Sequence, residues 1–164
     1  MIDGLAIEQR RLAILQSLNV LDTPIEERFE RITRLVCRIL GVPMAAISFV
    51  DAKRVWFKSI QGFDLREIPR DVSFCSQAIQ SDSSLVIEDV LSDPRFLKSP
   101  LVAPPINTRF YVGFPINIIC GERLGTLCIF DTVSHSLNQE DKQFLADMAE
   151  TVASELKAYS LKAY

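Results

Sequence analysis

The fold is decided by residues 109–131, RFYVGFPINIICGERLGTLCIFD, which contain the longest uncharged run of the chain. Residues 110–120 and 123–130 predict two strands, and Gly121-Glu122 predicts a two-residue type II′ turn between them. Both strands are apolar on both faces, which is typical of a central pair covered on each side. Pro115 has no N–H for a ladder and indicates a bulge or a sheet margin. We expect the rest of the chain to pack around this hairpin.

Helical signals stand on either side of the strands. Residues 5–18 predict a short amphipathic helix that lies on the domain or on a partner. A second helix is expected from Thr23 as N-cap, with Pro24 at its first position and Glu26 completing a capping box, to a left-handed cap at Gly41. A last helix follows residues 134–138 and runs to the end of the chain. The apolar face of the second helix is predicted to comprise Ile25, Phe29, Ile32, Leu35, Val36 and Ile39.

The strands before the central hairpin are shorter. Residues 44–50 and 54–60 predict two strands joined by a turn at 51–53, with Val55 and Phe57 on one face and Trp56 and Ile60 on the other. Residues 61–72 predict a loop, followed by a short helix through residue 79 that Ser73 or Asp71 caps, and a short strand at 85–87.

A long polar excursion follows this short strand. Residues 88–107 contain four prolines. A loop of this length in a compact domain is usually functional. Because hairpins and long excursions join the strands and no strand–helix–strand unit repeats, the chain predicts an α+β fold with an antiparallel sheet between helices.

Composition restricts the possible partners. The chain has 164 residues, enough for one domain with its own core, and its net charge is −3 without a basic block. We therefore expect no nucleic-acid partner. No apolar run is long enough to span a bilayer, and the N-terminus has no basic region typical of a signal peptide, so no membrane partner is expected.

Cysteine spacing indicates a reducing compartment. The four cysteines, Cys37, Cys75, Cys120 and Cys128, include no Cys-x-x-Cys pair. The predicted turn separates Cys120 from the residue opposite Cys128 by roughly 16 Å along the strand, whereas a disulfide requires Cα atoms within about 7 Å. We expect a cytoplasmic protein. With His135 as the sole histidine, neither a metal site nor a Cys-His dyad is predicted.

Several short motifs together carry a family resemblance. They are Asp22-Thr23-Pro24, Val50-Asp51 with Trp56-Phe57-Lys58-Ser59, Phe74-Cys75-Ser76-Gln77-Ala78-Ile79, Asp93-Pro94-Arg95-Phe96, Arg109-Phe110-Tyr111 and Gly125-Thr126-Leu127-Cys128. From about Arg10 to the C-terminus, the chain resembles a GAF domain of the type found at the N-terminus of bacterial sensor histidine kinases and cyclic-di-GMP signalling proteins.

The resemblance implies a fold and a division of the chain. The GAF fold, related to profilin and PAS domains, has a central antiparallel sheet of five to six strands. Long N- and C-terminal helices cover one face, and short helices and loops form a small-molecule pocket on the other. Residues 1–21 would then be a helical extension, and residues 22–164 the GAF domain with its C-terminal signalling helix.

The cofactors of better-known GAF domains do not carry over. The Asn-Lys and Asp-Glu pairs of cyclic-nucleotide-binding members are absent. Haem binding needs a pocket histidine, but His135 falls after the last strand, and Gln77 occupies a position where similar sequences often have histidine. The bilin attachment signatures are also missing. The cofactor is therefore left unknown.

The candidate site lies where the long loop is expected to meet the sheet. Cys75 falls in the first turn of the short helix, where the helix end favours a thiolate, or else it is a small buried core residue. Arg109 either binds an anionic or planar ligand together with the two aromatic rings that follow it, or pairs with Asp93 or Asp89 to pin the loop. The predicted ligand-binding residues are Phe74, Cys75, Gln77, Arg109, Phe110 and Tyr111, with Trp56 as a further contact.

Three functions are consistent with these observations. The first is a sensory or regulatory GAF domain, not an enzyme, that binds a small molecule or relays a signal to a covalently attached output domain. The second is a thiol-dependent methionine-sulfoxide reductase that uses Cys75 and Cys128. The third is a dimerisation module whose pocket is filled by its own aromatic rings. No catalytic residue is assigned, because no nucleophile–base pair stands out.

The last helix predicts a homodimer built on the terminal helices. Its apolar stripe extends past the length that a sheet covers, so a partner is expected to bury the overhang at residues 152–161. A chain that ends inside a helix also suggests a segment of a longer protein. The stripe comprises Phe144, Leu145, Met148, Ala149, Val152, Leu156 and Tyr159.

Overall fold

The computed structural model describes residues 4–118 and 121–162, which form an antiparallel sheet covered by helices. Its strands are β1 (Met44–Val50), β2 (Arg54–Gln61), β3 (Glu67–Pro69), β4 (Leu85–Ile87), β5 (Phe110–Asn117) and β6 (Arg123–Asp131), in the spatial order β3-β2-β1-β6-β5-β4. The helices are α1 (Gly4–Ser17), α2 (Glu27–Leu40), α3 (Phe74–Ala78) and α4 (Gln139–Lys162). The predicted α+β class, with one antiparallel sheet between helices, is confirmed.

The central hairpin is present, but its connection is longer than predicted. Asn117 pairs with Arg123, so residues 118–122 join β5 to β6 in place of a two-residue turn. This shifts the register by two, and Cys128 lies opposite Gly113 rather than Pro115. Pro115 pairs with Thr126, and the irregularity follows one residue later, between residues 116 and 117. Cys120 lies outside the described residues.

Helix α2 begins later and buries a different face than the sequence predicts. It starts at Glu27, not at Pro24, and its N-cap Glu26 makes no side-chain capping bond. The hydroxyl of Thr23 instead donates to the carbonyl of Val20 at 2.5 Å. Gly41 closes the helix at φ 66°, as predicted. Of the predicted face, Phe29, Ile32 and Val36 are buried, whereas Ile25, Leu35 and Ile39 are exposed.

A bulge in β2 explains why Ile60 lies on the unexpected face. Ser48 pairs with Phe57 but Ile47 pairs with Ser59, so Lys58 is an extra residue in the strand. Val55 and Phe57 face α3, and Trp56 faces the long helices, as predicted. Beyond the bulge the alternation reverses. Ile60 therefore packs on the same side as Phe57.

Helix α1 lies on the domain and crosses the ends of both hairpins. Leu15 is fully buried in the core beneath α2 and α4. The Nη1 atom of buried Arg11 donates to the carbonyl of Val50 at 2.7 Å, at the end of β1. Arg10 pairs with the buried carboxylate of Glu122 in the β5–β6 connection. The predicted helix is confirmed, and these contacts fix it to its own domain.

The segments around α3 follow local signals in the sequence. Ser73 caps α3, since its hydroxyl accepts from the N–H of Ser76 at 3.1 Å. The region predicted as a loop at 61–72 contains the short edge strand β3 and a turn of 3₁₀ helix. The long excursion at 88–107 is confirmed and holds two further 3₁₀ turns, Val90–Ser92 and Pro94–Phe96.

Candidate functional site

The space between the sheet and the long loop is filled by aromatic rings. Phe74 stacks on Tyr111 with 4.6 Å between ring centroids. Phe96 lies 4.6 Å from Phe74 on another side, and Phe130 lies 5.3 Å from Tyr111. Phe74 and Tyr111 are fully buried. Both residues lie at the position predicted for the pocket wall. Their rings, however, fill the space between the sheet and the long loop instead of lining a cavity there.

A polar centre lies beneath these rings, around the thiol of Cys75. Tyr111 donates its hydroxyl to Cys75 Sγ at 3.7 Å, and Thr126 donates to the same sulfur at 3.4 Å. The hydroxyls of Ser48 and Thr126 are 2.8 Å apart. Cys128 belongs to the same buried cluster as Cys75, and its thiol donates to the carbonyl of Ala46 at 3.5 Å. We call these five residues, Ser48, Cys75, Tyr111, Thr126 and Cys128, the thiol centre.

The thiol centre separates the acidities of its two cysteines. Hydrogen bonds from Cys128, Ser48, Thr126 and Tyr111 lower the pKa of Cys75, despite the opposing effect of burial. Burial, together with the neighbouring Cys75 sulfur, raises the pKa of Cys128 well above its ordinary value. Cys75 is therefore the thiol that loses its proton first. The negative charge on the deprotonated Cys75 sulfur is stabilised by the hydroxyl groups that donate to it.

Gly113 makes room for the Tyr111 hydroxyl. A Cβ atom at Gly113 would lie 2.2 Å from that oxygen, closer than any real contact. Gly113 is the strand partner of Cys128, so the hydroxyl reaches the thiol centre across the backbone of β5. A larger residue at this position would displace the tyrosine.

Arg109 holds the long loop in place, which is one of the two alternatives predicted for it. Its partners are backbone carbonyls and not the predicted acidic side chains. Its Nη1 atom donates to the carbonyls of Val102 at 3.0 Å and Thr108 at 2.9 Å. The expected acidic partners are occupied elsewhere. Asp93 pairs with Arg95 at 2.7 Å, and Asp89 accepts from the Ser92 hydroxyl.

Phe110 and Trp56 are corrections to the predicted site, because both lie on the opposite face of the sheet. Successive side chains alternate along a strand, so Phe110 cannot share the face of Tyr111. Phe110 packs 5.4 Å from the His135 ring, and Trp56 stacks on Phe49 at 6.5 Å. Both belong to the core beneath the long helices.

Gln77 lines a separate, open pocket of about 480 Å³ between α3 and the β1–β2 turn. Its amide oxygen lies 3.5 Å from Nη1 of Arg95. Lys53 and Arg70 bring two cations to this pocket, and Asp71 brings one carboxylate. The sequence prediction missed both cations. The lining residues are Ala52, Lys53, Arg70, Asp71, Ser76, Gln77 and Gln80.

The prediction also missed Ser48 and Thr126, although a signal for them was present. Each is a hydroxyl residue within an otherwise apolar strand, and both are fully buried. A buried hydroxyl costs free energy unless it is hydrogen-bonded. Such residues therefore mark the places where a core must contain a polar partner.

Metal ligation finds little support in residues 4–118 and 121–162, which hold no group of three or more His, Cys, Asp or Glu side chains able to bind a metal ion. His135 contacts Oδ2 of Asp131. The other oxygen of Asp131 accepts from the N–H of Thr132 at 2.6 Å, so this carboxylate caps the turn after β6.

Comparison with known families and structures agrees with this architecture. The family model of the GAF domain matches residues 24–156, so the chain belongs to the GAF domain family. The chain is 33% identical over 150 residues to a cyclic di-GMP phosphodiesterase of Pseudomonas aeruginosa. That match covers 91% of the chain and 26% of the relative, so the chain spans about a quarter of the relative's length.

Solved structures share the fold at low identity. The GAF domain of a phosphoenolpyruvate-protein phosphotransferase from Coxiella burnetii superposes with a TM-score of 0.71 at 18% identity, covering 99% of both chains. The free methionine-R-sulfoxide reductase of Neisseria meningitidis, solved with its substrate, gives 0.66 at 18% identity, covering 100% of this chain and 96% of the reductase. At such identities the likeness shows the fold alone.

A domain of a two-component sensor histidine kinase from Sinorhizobium meliloti has a TM-score of 0.70 at 16% identity, covering 87% of this chain and 97% of that domain.

Within the described part of the chain, each helix is too short or too polar to cross a membrane.

Proposed function

We propose that this chain is a sensory or regulatory domain that controls an output domain attached to it in a bacterial signal-transduction protein. Membership of the GAF family supports this proposal. So does the relative from P. aeruginosa, in which a segment 33% identical to this chain is about a quarter of a cyclic di-GMP phosphodiesterase. We include a cytoplasmic location, because Cys37, Cys75 and Cys128 are free thiols.

The observation that carries the proposal is a latch between the sheet and the far end of α4. We define the latch as Arg28, Lys58, Glu155 and Tyr159. Arg28 Nη1 lies 3.3 Å from Glu155, and the Arg28 guanidinium lies 5.0 Å from the centre of the Tyr159 ring. The Lys58 ammonium lies 5.7 Å from the same ring. The latch therefore joins the end of α4 to α2 and β2.

Lys58 attaches the latch to strand β2 of the sheet. Its side chain is fully buried at the β2 bulge. The ammonium lies 2.7 Å from the Thr23 hydroxyl, the Pro24 carbonyl and the Glu26 carboxylate. A change in β2 or at the start of α2 would thus move the groups that hold Tyr159. Helix α4 would carry that movement to an attached domain.

The open pocket beside Gln77 is the proposed binding site for a small polar molecule. The aromatic rings fill the interior position, whereas this pocket has a volume of about 480 Å³ and presents Lys53 and Arg70. The Lys53 ammonium and the neighbouring amides favour a ligand with an anionic group, whereas the Arg70 guanidinium already pairs with Glu8. The filled interior also supports the alternative in which the domain relays a signal without a ligand there.

A homodimer through the terminal helices stays a prediction, but its energetic reason changes. Val152 and Leu156 were expected to overhang the sheet, yet both are fully buried within the chain, and Tyr159 is half-buried in the latch. Leu161 lies among the residues whose side chains are not described. Burial of Leu156 therefore needs no second copy. Sedimentation equilibrium of the wild-type chain tests the prediction, and a monomer at high micromolar concentration would refute it.

We propose further that the chain has no catalytic activity of its own. Cys75 and Cys128, the candidates for a reductase, are 1% and 0% exposed, in the same buried cluster as Phe74. A substrate as large as methionine sulfoxide needs a cavity at the sulfur. Turnover of free methionine sulfoxide with dithiothreitol, lost on Cys75→Ser, would overturn this part of the proposal.

A domain replacement tests the regulatory role. The matched segment of the P. aeruginosa phosphodiesterase is replaced by this chain, and hydrolysis of cyclic di-GMP is compared in the parent, the replacement and a variant lacking the segment. We expect the replacement to resemble the parent and the deletion to differ from both by several-fold. A replacement that behaves like the deletion would contradict the proposed function.

A further inference from the structure

Two buried thiols adjoin each other in a layer that is otherwise apolar. Cys75 comes from α3 and Cys128 from β6, and each is almost fully buried. They belong to one buried cluster, and Cys75 contacts Thr126, which lies two residues before Cys128 on β6. The regulatory role proposed above uses neither of them.

The surroundings of Cys75 favour a negatively charged sulfur. Hydroxyl donors from Tyr111 and Thr126 reach Sγ at 3.7 and 3.4 Å, and the Ser48 hydroxyl is hydrogen-bonded to that of Thr126 at 2.8 Å. These donors come from β1, β5 and β6, which the sheet holds rigidly. A thiolate is the nucleophilic form of cysteine, and hydrogen bonds that stabilise it increase its population.

The position of Tyr111 is a second, independent sign of this arrangement. Its hydroxyl lies over Gly113, where a Cβ would approach within 2.2 Å. The tyrosine ring packs against Phe74 and Phe130. The phenol is thus fixed toward the sulfur rather than toward solvent.

We propose that Cys75 is an oxidation site for hydrogen peroxide and that Cys128 converts the oxidised sulfur to a disulfide. The Cys75 thiolate attacks one peroxide oxygen, the O–O bond breaks, and the other oxygen takes a proton and leaves as water. Cys75 becomes a sulfenic acid. The Cys128 sulfur then attacks Cys75, the S–O bond breaks, and the oxygen leaves as a second water with the Cys128 proton. Two thiols lose two electrons, and hydrogen peroxide is reduced to two waters.

Burial of Cys75 limits which oxidants can reach its sulfur, and a disulfide at this position would cross-link two elements of the fold. The rings of Phe74 and Phe96, 4.6 Å apart, close the thiol centre to any bulky reagent. Hydrogen peroxide is about the size of two water molecules. A Cys75–Cys128 disulfide would cross-link α3 to β6. Since α3 also carries Gln77 of the open pocket, oxidation would fix one wall of that pocket.

Peptide mapping by mass spectrometry tests the proposal directly. The reduced chain is treated with hydrogen peroxide, alkylated and digested without reductant. We expect a cross-linked pair of peptides containing Cys75 and Cys128, which dithiothreitol reverses. A disulfide to another cysteine, or none, would overturn the proposal.

Rate measurements test the activation of Cys75 and use Cys37 as the internal control. Burial alone raises the pKa of Cys37, to about 11, and it contacts none of the donors. We expect Cys75 to be oxidised roughly tenfold or more faster than Cys37. Thr126→Val should slow the oxidation of Cys75 without affecting Cys37. Cys128→Ala should stop the reaction at a sulfenic acid on Cys75, which mass spectrometry of the intact protein detects as the addition of one oxygen atom. Equal rates for Cys75 and Cys37 in the wild-type chain would overturn the assignment, whatever the variants do.

Discussion

The two faces of the sheet are packed in different ways. Toward α2 and α4 the strands present aliphatic side chains such as Ile47, Leu127 and Ile129, together with the buried ammonium of Lys58 in the latch. Toward α3 the same strands present aromatic rings around the thiol centre. Because neighbouring residues of one strand face opposite ways, a single strand serves both layers. The face toward α2 and α4 therefore determines mainly the stability of the domain and the position of α4. The face toward α3 determines the chemistry of the two cysteines.

The largest expected effect is on the helical face. Leu156→Glu places a carboxylate at a fully buried position of α4. We expect a loss of about 4 kcal/mol or more in the free energy of unfolding, because the apolar burial of Leu156 is lost and an unpaired carboxylate is placed in the core. Urea unfolding followed by circular dichroism measures it. Lys157→Glu, at the exposed neighbouring position, is the control and should change stability by less than about 0.5 kcal/mol. Equal stability of the two variants would contradict the placement of α4.

A smaller effect is expected at the thiol centre. Gly113→Ala forces a Cβ against the Tyr111 hydroxyl, and should cost about 1–3 kcal/mol. It should also raise the pKa of Cys75 by moving a donor away, which thiol titration followed by ultraviolet absorbance measures. Tyr111→Phe removes the hydroxyl and keeps the ring.

The double variant Gly113→Ala/Tyr111→Phe shows whether the stability lost in Gly113→Ala comes from the clash with the Tyr111 hydroxyl or from other effects of the alanine. If the clash is with the hydroxyl, Gly113→Ala costs less when Tyr111→Phe is already present, and the two changes are non-additive. Strict additivity would show that the alanine acts somewhere other than on Tyr111.

The smallest effect concerns α1, which crosses the ends of the strands. The hydrogen bond from Arg11 is the main cause that lowers the pKa of Glu8 from 4.5 to about 2, and Arg70 contributes to it. Since the folded pKa lies below the unfolded one, this stabilisation is fully present above about pH 4.5 and is lost as the pH falls through about 2. We expect Glu8→Gln to be less stable than the wild type by up to about 1 kcal/mol at pH 7.

That difference should shrink on acidification and vanish near pH 2. Urea midpoints of the two proteins, measured between neutral and acid pH, test this. Glu150→Gln, on the exposed side of α4, is the matched control. A gap between Glu8→Gln and the wild type that does not change with pH would mean that Glu8 acts without its charge.

Local signals in the sequence predicted those features that neighbouring residues determine. The left-handed cap at Gly41, the Ser73 cap of α3 and the bounds of β1 are of this kind. Ile60 was assigned to the wrong face because the bulge at Lys58 adds a residue to the strand. A bulge arises from pairing with a distant strand, and β2 alone carries no sign of it.

The candidate site was predicted only in part, for a similar reason. Phe74, Cys75 and Tyr111 do meet, because the family resemblance fixes which elements surround the interior. The partners Ser48 and Thr126 are 78 residues apart and meet only through the pairing of β1 with β6. Phe110 was included because it adjoins Tyr111 in sequence, although strand alternation places it on the other face. Nearness in the chain was a poor guide within strands.

The most direct test of the central claim, that the helical face controls an output domain through α4, is a single comparison within the domain replacement described above. Hydrolysis of cyclic di-GMP is measured for the replacement carrying Tyr159→Ala, which removes the ring beneath Arg28 and Lys58. Lys157→Ala, at an exposed position of the same helix, is the control. We predict that Tyr159→Ala changes the rate several-fold and that Lys157→Ala leaves it unchanged. Equal rates in the two variants, with both proteins folded, would contradict the claim.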